Sequence, residues 1–244
     1  LGTNPLTARY SGGSADTVHF GSTSTALITV AMRPTTTTVV CSPAVDPVNA
    51  PSTCTATVAD VAPGTTSTPS GEVSWTVAEG TGKLSTASCT LDRGGSCAVG
   101  FTATPGAEGN VLIVAGYGGG HADRRHAPSW GGDAFVAGQR STSTLVSCNP
   151  PSVTGGASAL CTATVSDASA GTPLSVSGDV IWAVNGDGGT LSVSRCTLSS
   201  SGSCSVSYRA GSARTTVTIV ADYNGGSVDV DHAPSGGQTT ESVT

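Results

Sequence analysis

The stretch TVVCSPAVDPVNAPSTCTATVAD at residues 38–60 recurs in kind and order as TLVSCNPPSVTGGASALCTATVSD at residues 144–167. Cys41 and Cys148 lie 107 positions apart, and the other cysteines and one tryptophan of the first copy repeat at the same interval. A period of this size is that of a whole domain rather than of a short solenoid unit. The chain is therefore predicted to contain consecutive copies of one domain.

Three copies of a loop pattern mark where the domains end. The pattern is Tyr, one residue, Gly-Gly, two residues, Asp, two residues and His, and it occurs as YSGGSADTVH (10–19), YGGGHADRRH (117–126) and YNGGSVDVDH (223–232). Alignment on this pattern assigns residues 34–139 to one domain and residues 140–244 to the next. Residues 1–33 then hold only the last hairpin of a preceding copy. We expect the chain to be a piece of a longer array.

Composition limits the partners and the compartment. Only 11% of the residues are charged and the formal net charge is −6, which argues against nucleic acid and against an anionic membrane surface as partners. The sequence contains no apolar run long enough to span a bilayer. Eight cysteines in so polar a chain favour disulfides and hence an oxidising, extracellular compartment.

Alternation of apolar and polar residues with a period of two predicts strands, and no helical stripe is present. In the first full copy, this alternation delimits seven strands, at residues 37–41, 54–60, 72–77, 84–91, 97–103, 111–117 and 134–138. Seven short strands with Trp75 on the third are typical of an immunoglobulin-like sandwich. The predicted fold class is all-β, with tandem seven-stranded immunoglobulin-like β-sandwiches. The final strand, TTESVT (239–244), is polar and is expected to be short and incomplete.

The eight cysteines form pairs of short separation. The usual bridge between the second and sixth strands is absent because the sixth strand has no cysteine. Each pair instead flanks one reversal of the chain, where Cα atoms come within bridging distance. We therefore predict intradomain disulfides Cys41–Cys54, Cys89–Cys97, Cys148–Cys161 and Cys196–Cys204. Zinc sites are the alternative, but spacings of 13 and 8 residues without a nearby His suit zinc poorly.

These residues also carry a family resemblance. The segments STCTATVAD, PSGEVSWTV, ASCTLDRGGSCAVGF and IVAGYGGG resemble the bacterial immunoglobulin-like repeats found in tandem in large secreted and surface proteins. The resemblance covers nearly the whole chain and implies a stalk, spacer or adhesive module outside a bacterial cell. It implies no particular ligand.

The repeated loop offers a candidate metal site. In the predicted topology it joins the sixth and seventh strands, at the sandwich end where the second strand also finishes. Asp123 should therefore lie near Asp60, and Asp229 near Asp167, beside the preceding domain. Because clustered carboxylates and loop carbonyls suit Ca²⁺, a junctional calcium site is one hypothesis, and no other cofactor is expected. In the alternative, Gly-Gly turns the chain, Asp caps the turn, and Tyr and His cover the core.

Two other chemistries are not favoured. His121, Asp123 and His126 could form a zinc trio, but the other copies have serine at the position of His121. The four histidines all lie in the repeated loops, and the sequence has no nucleophile elbow and no repeated pair of glutamates. The chain is therefore not expected to be an enzyme.

The favoured function is that of a non-catalytic extracellular array that serves as a stalk, spacer, surface layer or filament component. Trp130 and His121 are private to the first copy and are candidate contact residues. They support the alternative of an adhesin that binds through its loop ends. A further alternative is an accessory region of a larger secreted enzyme.

The expected partners are neighbouring immunoglobulin-like domains of the same protein. The strands predicted at residues 6–10 and 26–32 belong to a domain whose other strands are missing, and an isolated hairpin is marginally stable in water. Either preceding strands of the same protein cover this hairpin, or an identical subunit does so by strand complementation.

Overall fold

The computed structural model describes residues 2–119, 123–225 and 228–244. Its strands form one hairpin, made of β1 (Gly2–Tyr10) and β2 (Ser22–Val30), and two β-sandwiches. The first sandwich contains β3 (Thr35–Ser42), β4 (Val45–Pro47), β5 (Pro51–Asp60), β6 (Glu72–Glu79), β7 (Gly82–Leu84), β8 (Ser88–Thr90), β9 (Ser96–Ala103), β10 (Gly109–Tyr117) and β11 (Ser129–Gly138). The second contains β12 (Thr142–Asn149), β13 (Ser152–Val153), β14 (Ser158–Asp167), β15 (Asp179–Asn185), β16 (Gly189–Leu191), β17 (Arg195–Thr197), β18 (Ser203–Ala210), β19 (Thr215–Tyr223) and β20 (Ser235–Val243). Among the described residues, no helix is long and apolar enough to cross a membrane.

The two sandwiches have the same strand order. In the first, one sheet has the order β3-β5-β9-β7 and the other has the order β4-β11-β10-β6-β8. In the second, the corresponding orders are β12-β14-β18-β16 and β13-β20-β19-β15-β17. This packing of two largely antiparallel sheets confirms the predicted immunoglobulin-like β-sandwich. The domain boundaries after residues 33 and 139 stay a prediction.

Each sandwich has nine strands within the described residues, because one of the seven predicted strands is divided in two and one short strand, β4 or β13, was not predicted. β3 ends at Ser42, because Pro43 has no N–H to extend the ladder, and the chain then passes to β4 in the other sheet. The single strand predicted at 84–91 is wrong. β7 pairs with β9 whereas β8 pairs with β6, so the chain crosses between the sheets there. Hydrogen bonds of the Ser85 and Thr86 hydroxyls with the backbone support this crossing.

Alternating side chains build the core of each sandwich. On β5, Cys54, Ala56 and Val58 are buried, whereas the residues between them are more exposed. Trp75 and Trp182 lie in the cores, with exposed fractions of 4% and 3%. Each sandwich therefore has its own contiguous apolar core.

The disulfides join the predicted cysteine pairs, but they play two different roles. Cys41–Cys54 links β3 to β5, which are neighbours in one sheet. Cys89–Cys97 flanks a chain reversal as expected, but it links β8 to β9, which lie in opposite sheets. It bridges the two sheets beside Trp75, whose Nε1 lies 3.0 Å from Cys89 Sγ. In the second sandwich, the same roles fall to Cys148–Cys161 and Cys196–Cys204.

The hairpin of β1 and β2 has the register of a sandwich hairpin but no sandwich around it. Tyr10 lies opposite Ser22, just as Tyr117 lies opposite Ser129 in the β10–β11 pair. Every residue of both strands is exposed, including Leu6 at 61%. The side of the hairpin that corresponds to the buried side in the two sandwiches is therefore exposed to solvent.

The last strand of the second sandwich is complete. β20 pairs with β19 from Ser235 to Val243, opposite Tyr223 to Thr215. The prediction of a short and incomplete final strand is therefore wrong. Backbone pairing with β19 holds this strand although its sequence is polar.

Candidate functional site: the loops at the sandwich junctions

The repeated loop returns the chain from β10 to β11 and from β19 to β20. Its first glycine, Gly119 or Gly225, has a positive φ of 51° or 57°. A Cβ at Gly119 would lie 2.7 Å from the carbonyl oxygen of His126, so only glycine fits where the loop closes on its own exit. His126 and His232 are each 1% exposed. These histidines are therefore packed into the sandwich ends.

Asp123 and His126 form the centre of a buried network in the first sandwich. The distance between His126 Nδ1 and Asp123 Oδ2 is 2.6 Å. Backbone N–H groups of Ser70 and Arg125 also donate to the Asp123 carboxylate. On the other side of the imidazole, His126 Nε2 lies 3.5 Å from Asp60. The two predicted carboxylates do come together, but with a histidine between them.

Asp60 is held by an arginine that sequence reasoning missed. Arg33 Nε donates to Asp60 Oδ2 at 2.6 Å, and the N–H groups of Ala62 and Ser67 donate to the same carboxylate. The sequence analysis gives no role to Arg33, the last residue of the segment 1–33. Arg140 follows it at the interval that separates the cysteines, and that interval is the signal that could have found both arginines.

The second sandwich repeats the network with its own residues. Arg140 Nε donates to Asp167 Oδ2 at 2.6 Å, and His232 Nε2 lies 3.6 Å from the same carboxylate. His232 Nδ1 is 2.8 Å from Asp229, which also accepts a hydrogen bond from the Tyr223 hydroxyl at 3.0 Å. Each sandwich end is thus closed by an arginine, two aspartates and a histidine.

Hydrogen bonds to the carboxylates outweigh the effect of burial on their pKa values. Burial would raise the pKa of Asp123, but the bonds from His126 and from two backbone N–H groups lower it to about 2. Burial also opposes ionisation of Asp167, yet Arg140 and two N–H groups lower the pKa to about 2. Burial and the nearby Asp123 raise the pKa of the Tyr117 hydroxyl to about 12. Both aspartates are therefore anionic at neutral pH, and Tyr117 is neutral.

The four aspartates considered for calcium do not offer it free ligands. All four accept hydrogen bonds from backbone N–H groups, and Asp60 and Asp167 also face a guanidinium group. A guanidinium 2.6 Å from the carboxylate repels a second cation at that position. Across the described ranges, no three His, Cys, Asp or Glu side chains are grouped so as to hold a metal ion. These residues do not fit a calcium ion, and calcium dependence itself stays a prediction.

Arg140 also connects the two sandwiches. Its side chain is fully buried, and Nη1 donates to the carbonyl oxygen of Val48 in the first sandwich at 2.7 Å. Hydrogen bonds from Asn49 Nδ2 to Thr172 O at 3.0 Å and from Gly106 N–H to Asp231 at 2.5 Å also cross the junction. The network that closes the second sandwich is therefore shared with the first.

The structure describes one of the two candidate contact residues. His121 lies outside the described residues. Trp130 is 70% exposed and lies on β11 opposite Gly116. A Cβ at Gly116 would lie 3.0 Å from the indole, so the ring rests over the glycine. The residues at the position of Trp130 in the other copies are Thr23 and Gly236.

Comparison with known proteins finds similarity of fold. No protein-family profile and no curated protein sequence matches the chain. The D0-D1 domain of intimin is 16% identical with a TM-score of 0.33, and the match covers 85% of this chain and 96% of that one. Invasin, a bacterial integrin-binding protein, is 17% identical with a TM-score of 0.44, and the match covers 85% of this chain but 39% of invasin. The adhesin InvE of Yersinia pseudotuberculosis is 14% identical with a TM-score of 0.36, and the match covers 85% of this chain and 58% of InvE. These values assign no function to the chain.

Proposed function

We propose that the chain is a non-catalytic extracellular spacer in which immunoglobulin-like sandwiches are joined end to end, as part of a bacterial stalk, surface layer or filament. The observation that carries this proposal is the buried Arg140, whose guanidinium group binds both sandwiches at once. The four disulfides support an extracellular location, since such bonds persist in oxidising compartments. Neighbouring domains of the same protein are then its first partners.

The guanidinium group favours a stiff junction. In the second sandwich, Nε binds Asp167 and Nη2 binds Ala170 O at 3.0 Å, while Nη1 binds Val48 O in the first. Because the fork of Arg140 is planar and rigid, these bonds fix the two backbones relative to each other. Rotation of the sandwiches would leave a buried donor without its acceptor, at a cost of about 1–3 kcal/mol. A spacer needs this resistance to bending.

Small-angle X-ray scattering tests whether the two sandwiches move as one body. The wild-type chain should fit a narrow distribution of maximum dimensions. Insertion of Gly-Ser-Gly-Ser between Gly138 and Gln139 should broaden the distribution, because it separates Arg140 from Val48 and adds a flexible linker. The same insertion between the exposed residues Ser212 and Ala213 is the control and should leave the distribution narrow. A wild-type distribution as broad as that of the linker variant would refute the rigid spacer.

Trp130 favours a second candidate function, that of an adhesin which binds through the outer face of β11. An indole that is 70% exposed and rests on Gly116 offers a flat apolar surface to a partner. The second sandwich has Gly236 at this position, so the surface belongs to the first sandwich alone. Binding through Trp130 would add to the spacer role and would not replace it.

Replacement of Trp130 by alanine separates the two functions. If the indole is a central contact, the variant should lose at least about tenfold in affinity for any immobilised glycan or matrix protein that the wild type binds. The melting temperature should hardly change, because the side chain is exposed. Leu145→Ala is the control, since Leu145 is 71% exposed on the second sandwich. Surface plasmon resonance over a panel of such ligands decides the matter, and the adhesin fails if the wild type binds none or if Trp130→Ala binds equally well.

The exposed hairpin is the proposed attachment point for a preceding domain or for an identical subunit. Leu6 has the register position of the buried Ile113, so the hairpin carries a core-facing side that needs a cover. Direct replacement of β20 by β2 of another copy would put Ser24 at the position of Gly237. A Cβ there would collide with the backbone oxygen of Thr144. Strand complementation between identical subunits would therefore require β12 to shift, and it stays a prediction.

A further inference from the structure

Glu241 on β20 is a buried carboxyl group without a hydrogen-bond partner. Its exposed fraction is 0%, and within the described part of the chain neither Oε1 nor Oε2 has a donor. The matching residue of the first sandwich is Phe135, since Glu241 lies opposite Val217 as Phe135 lies opposite Val111. The second sandwich therefore has a carboxyl group where the first has an aromatic ring.

The ring that packs on Phe135 also has a polar counterpart in the second sandwich. Phe135 meets Phe101 edge to face, with ring centroids 5.6 Å apart. Tyr208 stands at the position of Phe101 and is the titratable side chain that faces Glu241. Its hydroxyl donates to Gly188 O at 2.6 Å, so that proton is already used. A carboxylate at position 241 would therefore gain no hydrogen bond from the tyrosine.

The strands packed against β20 bring no counter-charge to Glu241. β12 and β13 contain no charged residue. Asp222 on β19 and Arg209 beside Tyr208 on β18 are exposed, and so is Arg214, which directly precedes β19. Burial raises the pKa of Glu241, because an anion here would lose its water and gain no partner.

We propose that Glu241 makes the closure of the second sandwich responsive to pH. While the carboxyl group keeps its proton, the side chain packs as a neutral group and β20 closes the sheet beside β19. Once the proton is lost, a carboxylate lies in the apolar core and β20 loosens to let water reach it. The first sandwich has Phe135 at this position, so its closing strand β11 carries no ionisable group there. The second sandwich is therefore held most firmly in mildly acidic surroundings.

The direction of the response follows from the folded and unfolded states. In the unfolded chain Glu241 has an ordinary carboxyl pKa, whereas in the folded chain its pKa is higher. Between these two values the folded state binds a proton that the unfolded state has released, so stability falls as pH rises. Asp123 and Asp167 act in the opposite direction. Their pKa values of about 2 mean that the stability they contribute is lost as pH falls from about 4 towards 2. The pH range in which Glu241 affects stability therefore does not overlap the range in which Asp123 and Asp167 do.

Hydrogen–deuterium exchange of the full chain, read by mass spectrometry, tests this inference with β11 as an internal control. Protection of β20, corrected for intrinsic exchange, is followed from about pH 5 to about pH 9. It should fall by up to about tenfold per pH unit between the ordinary carboxyl pKa and the raised pKa of Glu241 in the folded chain, and level off above the raised value. Protection of β11 should not follow this course. Identical pH dependence of the two strands would overturn the proposal.

Two variants identify Glu241 as the origin of the effect. E241Q keeps the shape of the side chain but cannot ionise, so the fall in protection of β20 should disappear. E241F restores the residue of the first sandwich and should abolish the fall and raise protection at all pH values. If E241F does not fold, E241Q still decides. In infrared spectra recorded at mildly acidic pH, the protonated carboxyl band of the wild type should be weaker in E241Q, which lacks the carboxyl group at position 241. An unchanged fall in E241Q would refute the proposal.

Discussion

Replacement of Arg140 by alanine is expected to lower the free energy of unfolding of the second sandwich by about 3–5 kcal/mol. The change leaves the Asp167 carboxylate, which is 2% exposed, without its guanidinium partner. It also removes the donor to Val48 O and so releases the first sandwich from the second. Differential scanning calorimetry should show the transition of the second sandwich at a lower temperature, with that of the first nearly unchanged.

Arg33→Ala is the matched control for this experiment. Arg33 makes the corresponding bonds, to Asp60 and to Thr65 O, but its side chain is 29% exposed, and among the described residues it bonds to no other sandwich. Its removal should therefore destabilise the first sandwich less than Arg140→Ala destabilises the second. Arg140→Lys should restore stability only in part, since an ammonium group cannot reach all the acceptors of the guanidinium at once. Equal shifts in Arg33→Ala and Arg140→Ala would contradict the junction role of Arg140.

The sequence repeat carries more structural information than any single motif. It identifies equivalent residues, and pairs such as Cys41 with Cys54 follow once the strands are placed. It also puts Asp60 at the same sandwich end as Asp123, which the structure places on either side of His126. These predictions succeed because strand alternation and loop position are properties of the local sequence.

The sheet to which a strand belongs cannot be deduced from the local sequence. Alternation tells which side chains are buried, but both sheets bury alternate residues, so residues 84–91 look like one strand. The crossing from β7 to β8 depends on the hydroxyls of Ser85 and Thr86, which bond to the backbone, one of them to Gly100 on β9. For this reason the inter-sheet position of Cys89 could not be predicted either.

The charged residues of the interior escaped prediction for another reason. Arg140 bonds to Asp167, 27 residues away, and to Val48, 92 residues away, so no local pattern marks it as buried. Glu241 lies in a polar segment that gives no sign of a core position. The one indication of its burial is that the equivalent residue of the first sandwich is Phe135. That equivalence is visible only after the pairing of β11 with β10 is compared with the pairing of β20 with β19.

Removal of the Cys89–Cys97 disulfide, which joins the two sheets, is also expected to lower the stability of the first sandwich strongly. The double variant Cys89→Ala/Cys97→Ala opens a loop with a sequence separation of 8. Chain entropy alone should lower the free energy of unfolding of the first sandwich by about 3 kcal/mol. The loss should be greater than this, because Trp75 packs against Cys89 Sγ and would border a cavity. Chemical denaturation gives the loss, and near-ultraviolet circular dichroism reports on the surroundings of the indole.

The double variant Cys41→Ala/Cys54→Ala is the matched control. Its bridge has a sequence separation of 13, and chain entropy gives it a similar contribution of about 3 kcal/mol. However, β3 and β5 stay joined by their backbone ladder when this bond is absent. The control should therefore lose stability while the near-ultraviolet spectrum of Trp75 is kept, whereas the Cys89→Ala/Cys97→Ala variant should lose both, because the sheets on either side of the indole are no longer tied. If the two variants give the same spectrum, the Cys89–Cys97 bond does not hold the sheets together, and backbone pairing and core packing alone must do so.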